Sequence, residues 1–238
     1  MLPKRKFWRW FTMFPKTVLC IYGRSLSEFI EQLSLAEKTE VPILEIRADY
    51  LRLEDLTKNT LQTIRVLSKR KLIFTLRKRR EGGKIVLSDQ QRRKFFFQAI
   101  ELGYDFVDIE FSSSRELIKS ILIRKGPTKI ILSYHDFQKT DGKIIEQYYQ
   151  KMQELNPDII KIVTMAQKEQ DNETVLHLLE KAKSQGSTIT CFCMGERGKK
   201  SRFAGYKNGN ALTFLALKRA KATAKGQITY DEFLKELK

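Results

Sequence analysis

Short β-branched, apolar runs recur along the 238-residue chain, and most are followed by a longer stretch whose apolar positions have helical spacing. The runs predict strands at Thr17–Tyr22, Ile43–Arg47, Leu72–Arg77, Phe106–Glu110, Lys129–Ser133, Ile159–Thr164, Thr188–Cys193 and Ala211–Phe214. The stretches between them predict helices over Ser25–Lys38, Leu56–Lys69, Asp89–Leu102, Arg115–Lys125, Gly142–Leu155 and Glu169–Gln185. Residues 195–209 read as a glycine- and lysine-rich loop, and Tyr230–Leu237 as a short closing helix. Ser88 and Asp171 stand where helix starts favour caps and acidic residues, while Gly103, Gly126-Pro127, Asn156-Pro157 and Gly186 mark helix ends. Eight strands alternating with helices, without linker, repeat or composition break, predict an α/β fold: a single-domain (β/α)8 or TIM barrel. An open doubly wound sheet shares this alternation, but its glycine-rich first turn is missing, since Tyr22-Gly23-Arg24-Ser25 has one glycine.

Polar residues gather at the strand ends. Four pairs stand two positions apart, so each shares a face: Glu45 and Arg47, Thr75 and Arg77, Asp108 and Glu110, Ser133 and His135; strand six adds Lys161 and Thr164. Ionisable groups inside apolar runs are costly unless paired, and catalytic groups of such barrels come from these ends. Lys161, set among Ile159, Ile160, Ile162 and Val163, is the sharpest candidate. Loss of hydration, and a cation such as Arg47 or Arg77 nearby, favour the free nucleophilic amine. His135 ends the neighbouring strand and carries a group suited to proton transfer near neutrality. His177, inside a helical stretch, reads as an ordinary helix residue. Arg202, in a basic loop with Gly195 and Gly198, can grip a carboxylate at the barrel mouth. That loop fits neither a P-loop nor a dinucleotide fingerprint.

Composition adds limits. The chain is 42% hydrophobic and 31% charged, enough for a sizeable core, and its net charge of +17 favours anionic partners. Cys20, Cys191 and Cys193 are too few for a disulfide framework or a metal site; Cys191 and Cys193 read as core thiols on one strand face, in a reducing, cytoplasmic setting. No apolar run approaches a membrane span, and Arg9 interrupts what would be a signal-peptide core. Residues 1–16 form a separate basic and aromatic segment ahead of a catalytic domain over 17–238.

Taken in order, these motifs resemble type I 3-dehydroquinate dehydratases. The family's Glu-x-Arg-x-Asp is Glu45-Ile46-Arg47-Ala48-Asp49, and its Thr-x-Arg with Glu-Gly-Gly is Thr75-Leu76-Arg77 with Glu81-Gly82-Gly83. Ser133-Tyr134-His135-Asp136-Phe137, Lys161 in Lys-Ile-Val, Met194-Gly195 through Ser201-Arg202 to Gly205, and Ala222–Gln227 follow at the family's spacing. Thr223 and Lys225 replace a serine and a proline, and Cys20 stands where relatives often carry a substrate-facing serine.

The resemblance implies dehydration of 3-dehydroquinate to 3-dehydroshikimate, in the route to aromatic amino acids, by a lyase needing no metal or organic cofactor. It implies a Schiff base on Lys161, proton transfer by His135, and a positioning or relay role for Glu81. It also implies substrate binding by Glu45, Arg47, Arg77, Arg202, Thr223 and Gln227. It further implies a homodimer, as relatives often form, and an N-terminal segment covering the barrel floor. Two other readings stay open at this stage. Another Schiff-base barrel, such as a class I aldolase, shares the strand-six lysine but not the His135-Asp136, Arg202 and Gln227 set. A nucleic-acid-binding protein would explain the charge but lacks a recognisable binding motif.

Overall fold

The computed structural model describes residues 14–237. Eight parallel strands, β1 (Thr17–Ile21), β2 (Ile43–Arg47), β3 (Lys71–Thr75), β4 (Phe106–Glu110), β5 (Lys129–Asp136), β6 (Ile159–Met165), β7 (Ile189–Met194) and β8 (Thr213–Ala216), follow the spatial order β7-β6-β5-β4-β3-β2-β1-β8. The ring closes where Ala211 N donates to Ile189 O at 2.8 Å and Leu212 N to Thr190 Oγ1 at 2.9 Å. The expected (β/α)8 barrel is the observed one.

Alternation along each strand sorts the side chains. Leu44, Phe74, Ile109, Leu132 and Ile162 point outward into the helix layer. Val18, Ile43, Ile73, Phe106, Ile131 and Ile159 point inward and fill the lower barrel. The helices α1 (Leu26–Ala36), α2 (Lys58–Leu67), α3 (Asp89–Glu101), α4 (Arg115–Arg124), α5 (Gly142–Gln153), α6 (Gln170–Ser184), α7 (Lys199–Lys207) and α8 (Tyr230–Glu236) cover the outside. Ser88 caps α3 in a reciprocal capping box with Gln91, and Asp171 accepts from Gln167 N and Lys168 N at the start of α6. Gly103, Gly126, Gly186 and Asn156 take the left-handed conformation after their helices, as their positions in the sequence predict.

Three strands differ from the sequence pattern by two residues or more. β3 ends at Thr75, because Leu76 O is taken by Arg92 and Lys78 N by Glu110, which removes both groups from the ladder. β5 runs on to Asp136 beside β6, and β8 starts two residues late, in register with β1 through Thr17 and Thr213. Residues 195–209 are no plain loop: Lys199–Lys207 is a helix. Its lack of an apolar stripe hides it, and tertiary bonds hold it instead. Ser201 Oγ accepts from Cys193 N at 2.8 Å, and Asn172 Oδ1 from Ser201 N at 3.1 Å.

Cys191 and Cys193 are buried on the outward face of β7, as core thiols. His177 lies within α6. Of the basic aromatic segment expected over 1–16, residues 1–13 and with them its proposed floor-covering role lie outside the described residues. Among the described residues, no helix is long and apolar enough to cross a membrane.

The barrel and helix layers meet at Phe74, fully buried, with Phe96 and Tyr104 edge-on at 5.7 and 5.9 Å. Phe74→Ala is expected to lower the unfolding free energy by about 3–5 kcal/mol in urea titration. A loss below ~1 kcal/mol would contradict this packing.

Candidate active site

Above the apolar plug the inward positions carry charge. Lys161 on β6 is 4% exposed, its Nζ 3.0 Å from Asp108 Oδ2 on β4 and 4.0 Å from Glu45 Oε1 on β2. The Phe214 ring centroid lies 3.8 Å from the same nitrogen. The expectation of a bare amine in an apolar strand is corrected here: Ile160 and Ile162 face outward into the helix layer, and on the inner face the amine meets carboxylates.

Asp108 is shared. Its Oδ1 accepts from Arg77 Nη2 at 2.9 Å and from Ser133 Oγ at 2.7 Å. Although burial opposes ionisation, Arg77 and Lys161 hold its carboxyl well below the ordinary carboxylate range. Glu45 accepts from Thr75 Oγ1 at 2.9 Å. Arg47 is clamped by Asp49 through two bonds of 2.9 Å and faces Tyr50.

His135, on the extended end of β5, has Nδ1 3.0 Å from Glu81 Oε2. Burial, with help from Arg77 and Lys161, pushes the imidazole down to about 4 against the opposing pull of Glu81. Burial also disfavours the Glu81 carboxylate, but His135, Arg77 and Ser112 keep its pKa below the ordinary value. A neutral ring donating from Nδ1 to Glu81 leaves Nε2 as the basic nitrogen. Glu81 gets there because the Glu-Gly-Gly turn folds back tightly: a Cβ on Gly83 would lie 1.9 Å from Arg77 O.

Arg202 is not on an open loop but in the first turn of α7, 4% exposed. Its guanidinium lies over the Phe192 ring at 4.2 Å, and its Nε and Nη2 have no hydrogen-bond partner. Burial pushes this guanidinium down to about 10. Across the mouth, Thr223 donates from N and Oγ1 to Gln227 Oε1, and Gln227 Nε2 donates to Cys20 Sγ at 3.1 Å.

All nine residues singled out in the sequence (Glu45, Arg47, Arg77, Glu81, His135, Lys161, Arg202, Thr223 and Gln227) line one cleft of about 500 Å³. Asp108 does not line it and is not among the nine, although its spacing from Glu110 repeats the pattern of Glu45 and Arg47. Phe192 and Phe214, which face the two cations, carry no polar signal that sequence reading could use. An amine, a buried base and an unpartnered guanidinium in one concave site can bind a small carboxylate beside a carbonyl and move protons there. Among the described residues, no His/Cys/Asp/Glu group is arranged to hold a metal ion.

A model of the type I 3-dehydroquinase family matches residues 17–238. The chain belongs to that family. It is 34% identical to a 3-dehydroquinate dehydratase of Streptococcus agalactiae, covering 91% of this chain and 95% of that one. It is 35% identical to a bifunctional 3-dehydroquinate dehydratase/shikimate dehydrogenase of Arabidopsis thaliana, over 90% of this chain and 35% of that longer protein. Its fold superposes on the Clostridium difficile type I 3-dehydroquinate dehydratase, solved with covalently modified comenic acid, with a TM-score of 0.84 and 28% identity. That alignment covers 93% of this chain and 90% of the other.

The positions that the resemblance sets apart from the type I 3-dehydroquinase pattern lie at or beside the mouth. Lys225 ties its loop to the residue after β7, because its carbonyl accepts from Gly195 N at 3.0 Å. Gly226 next to it has φ +67°, and a Cβ there would meet Gly195 O at 2.1 Å, so the two loops touch backbone to backbone. Cys20 accepts from Gln227.

The structure moves the titration of His135 away from neutrality. A histidine-specific NMR titration is expected to show His135 neutral at pH 6 and protonating near about 4. Its folded pKa is depressed below the ordinary value of ~6.5, so the unfolded chain binds this proton more tightly. His135 therefore withdraws stability as pH falls from about 6.5 through about 4, and none above that window. A midpoint near 6.5 would contradict the buried environment described.

Proposed function

We propose that this chain dehydrates 3-dehydroquinate to 3-dehydroshikimate through an iminium on Lys161. The observation that carries the reading is Lys161, held by Asp108 in a cleft that also presents His135 and the unpartnered Arg202 guanidinium. Asp108 and Glu45 keep the amine extended into the cleft, and Arg202 with Gln227 and Thr223 takes the substrate carboxylate and a neighbouring hydroxyl. Glu45, Arg47 and Arg77 bind the ring hydroxyls. Arg77 bears on Lys161 through Asp108, since both contact that carboxylate.

The amine adds to the C3 ketone, and loss of water from the carbinolamine gives the iminium, an electron sink next to C2. Nε2 of neutral His135 removes the C2 proton, with Glu81 stabilising the imidazolium that forms. The resulting enamine expels the C1 hydroxyl, which leaves as water with the proton from His135. Hydrolysis of the conjugated iminium returns Lys161 and releases the product. The product feeds aromatic amino acid formation. The ligand class is a small organic anion rather than nucleic acid. A reducing compartment such as the cytoplasm fits Cys20, Cys191 and Cys193, all free and buried.

Borohydride added with substrate or product is expected to fix a covalent adduct on Lys161, read by intact mass and peptide mapping. An unmodified chain, or a label on another lysine, would sink the Schiff-base reading. Arg202→Ala is expected to weaken substrate binding by roughly 2–4 kcal/mol, as when a buried carboxylate loses a charge-assisted partner. Unchanged affinity in calorimetry would move the carboxylate site elsewhere.

A further inference from the structure

Behind Asp108 the charges continue, away from the cleft and out to a helix. Arg92 on α3 is 1% exposed and does not line the cleft. Its Nη2 donates to Glu110 Oε2, and Glu110 Oε1 accepts from Arg77 Nη1 at 3.2 Å and from Lys78 N at 2.9 Å. Arg77 then reaches Asp108, and Asp108 reaches Lys161. The order is Arg92, Glu110, Arg77, Asp108, Lys161: three cations separated by two carboxylates, each carboxylate shared between two cations. All five of these residues are nearly or fully buried, so their charges are screened mainly by one another.

Arg92 also holds the backbone beside Arg77. Its Nε and Nη2 both donate to Leu76 O, at 3.2 and 2.8 Å, where β3 leaves the sheet. Its Nη1 is anchored by Asp89 Oδ1 and Ser113 Oγ, each at 3.1 Å. Every guanidinium nitrogen is engaged, so the fork has one orientation.

We infer that Arg92 is a positioning residue for the reaction: it holds Arg77 by its backbone and by its carboxylate partner, and so sets how strongly Asp108 holds Lys161. The inference rests on the reading of Lys161 as the nucleophile. Without the Arg92 charge, Glu110 draws on Arg77 alone, Arg77 leans toward Glu110, and Asp108 is left to grip the Lys161 ammonium. Fewer free amines then meet the ketone at a given pH. Neutralising Glu110 acts in the opposite sense, since Arg77 leans on Asp108 and loosens its grip. Lys161 also faces Cys20 on β1, Glu45 on β2 and His135 on β5; neither Arg92 nor Glu110 bonds to these groups, and of them only His135 also feels Arg77 directly.

The test compares the full-length parent with Arg92→Gln and Glu110→Gln. For each, the rate of borohydride-trapped adduct formation with 3-dehydroquinate is followed against pH, and far-ultraviolet dichroism fixes the folded fraction. The midpoint of that profile is expected to move alkaline in Arg92→Gln and acid in Glu110→Gln, each by roughly one pH unit. Below the midpoint, Arg92→Gln should then form adduct about tenfold more slowly than the parent. A general loosening of the fold would not give shifts of opposite sign. If Arg92→Gln does not fold, Glu110→Gln decides alone, because its amide oxygen still accepts from Arg77 and from Lys78 N. Midpoints that stay with the parent, or that move in one direction in both variants, overturn the inference while leaving the Schiff base intact. A parent that gives no adduct on Lys161 overturns the nucleophile itself, and the role of Arg92 with it.

Discussion

A carboxylate sealed from water needs charge around it, and the upper half of this barrel is arranged to meet that need at Asp108. Two cations and a hydroxyl surround it, and one of the cations is Lys161, the proposed nucleophile. Removing one partner of a buried pair typically costs about 3–5 kcal/mol, because the survivor stays charged and alone. The position of Lys161 is therefore tied to that of Arg77. The same bonds that make the site affordable to fold aim its amine and shape its cleft wall.

The barrel makes this possible by dividing its interior by height. Below, Ile43, Ile73, Phe106, Ile131 and Ile159 close the core without polar atoms. One layer up, parallel registry sets Thr75 beside Asp108, Glu110 beside Ser133, and Ser133 beside Lys161, so charges from different strands meet at bonding distance. With water largely excluded, each pair interacts strongly and holds its geometry.

Within that balance Arg202 stands apart. Lys161, Arg47, Arg70, Arg77 and Arg92 are buried beside carboxylates, whereas Arg202 lies on the Phe192 face with two nitrogens unbonded. Burial without a counter-ion is unfavourable in the protein by itself, and an incoming carboxylate relieves it. On the proposed reading, recognition of an acidic substrate is an ion pair with one half supplied from outside.

Much of this was legible in the sequence, because the barrel and its site obey short-range rules. Alternation with period two placed Glu45, Arg47, Asp108, His135 and Lys161 on inner faces at strand ends, and turn glycines marked the helix stops. Those features depend only on neighbours along the chain. What neighbours in space decide was not legible. The helix Lys199–Lys207 is held by Asn172 and by bonds to β7, the end of β3 by Arg92 and Glu110, and the environment of Lys161 by strands two and four. His135 reads as a group titrating near neutrality until burial and two cations are known to surround it. The sequence determined which polar residues stand on inner faces at the strand ends; only the tertiary structure decided which charges face one another, since Coulomb energy depends on distance in space and on exclusion of water, and neither is a property of spacing along a chain.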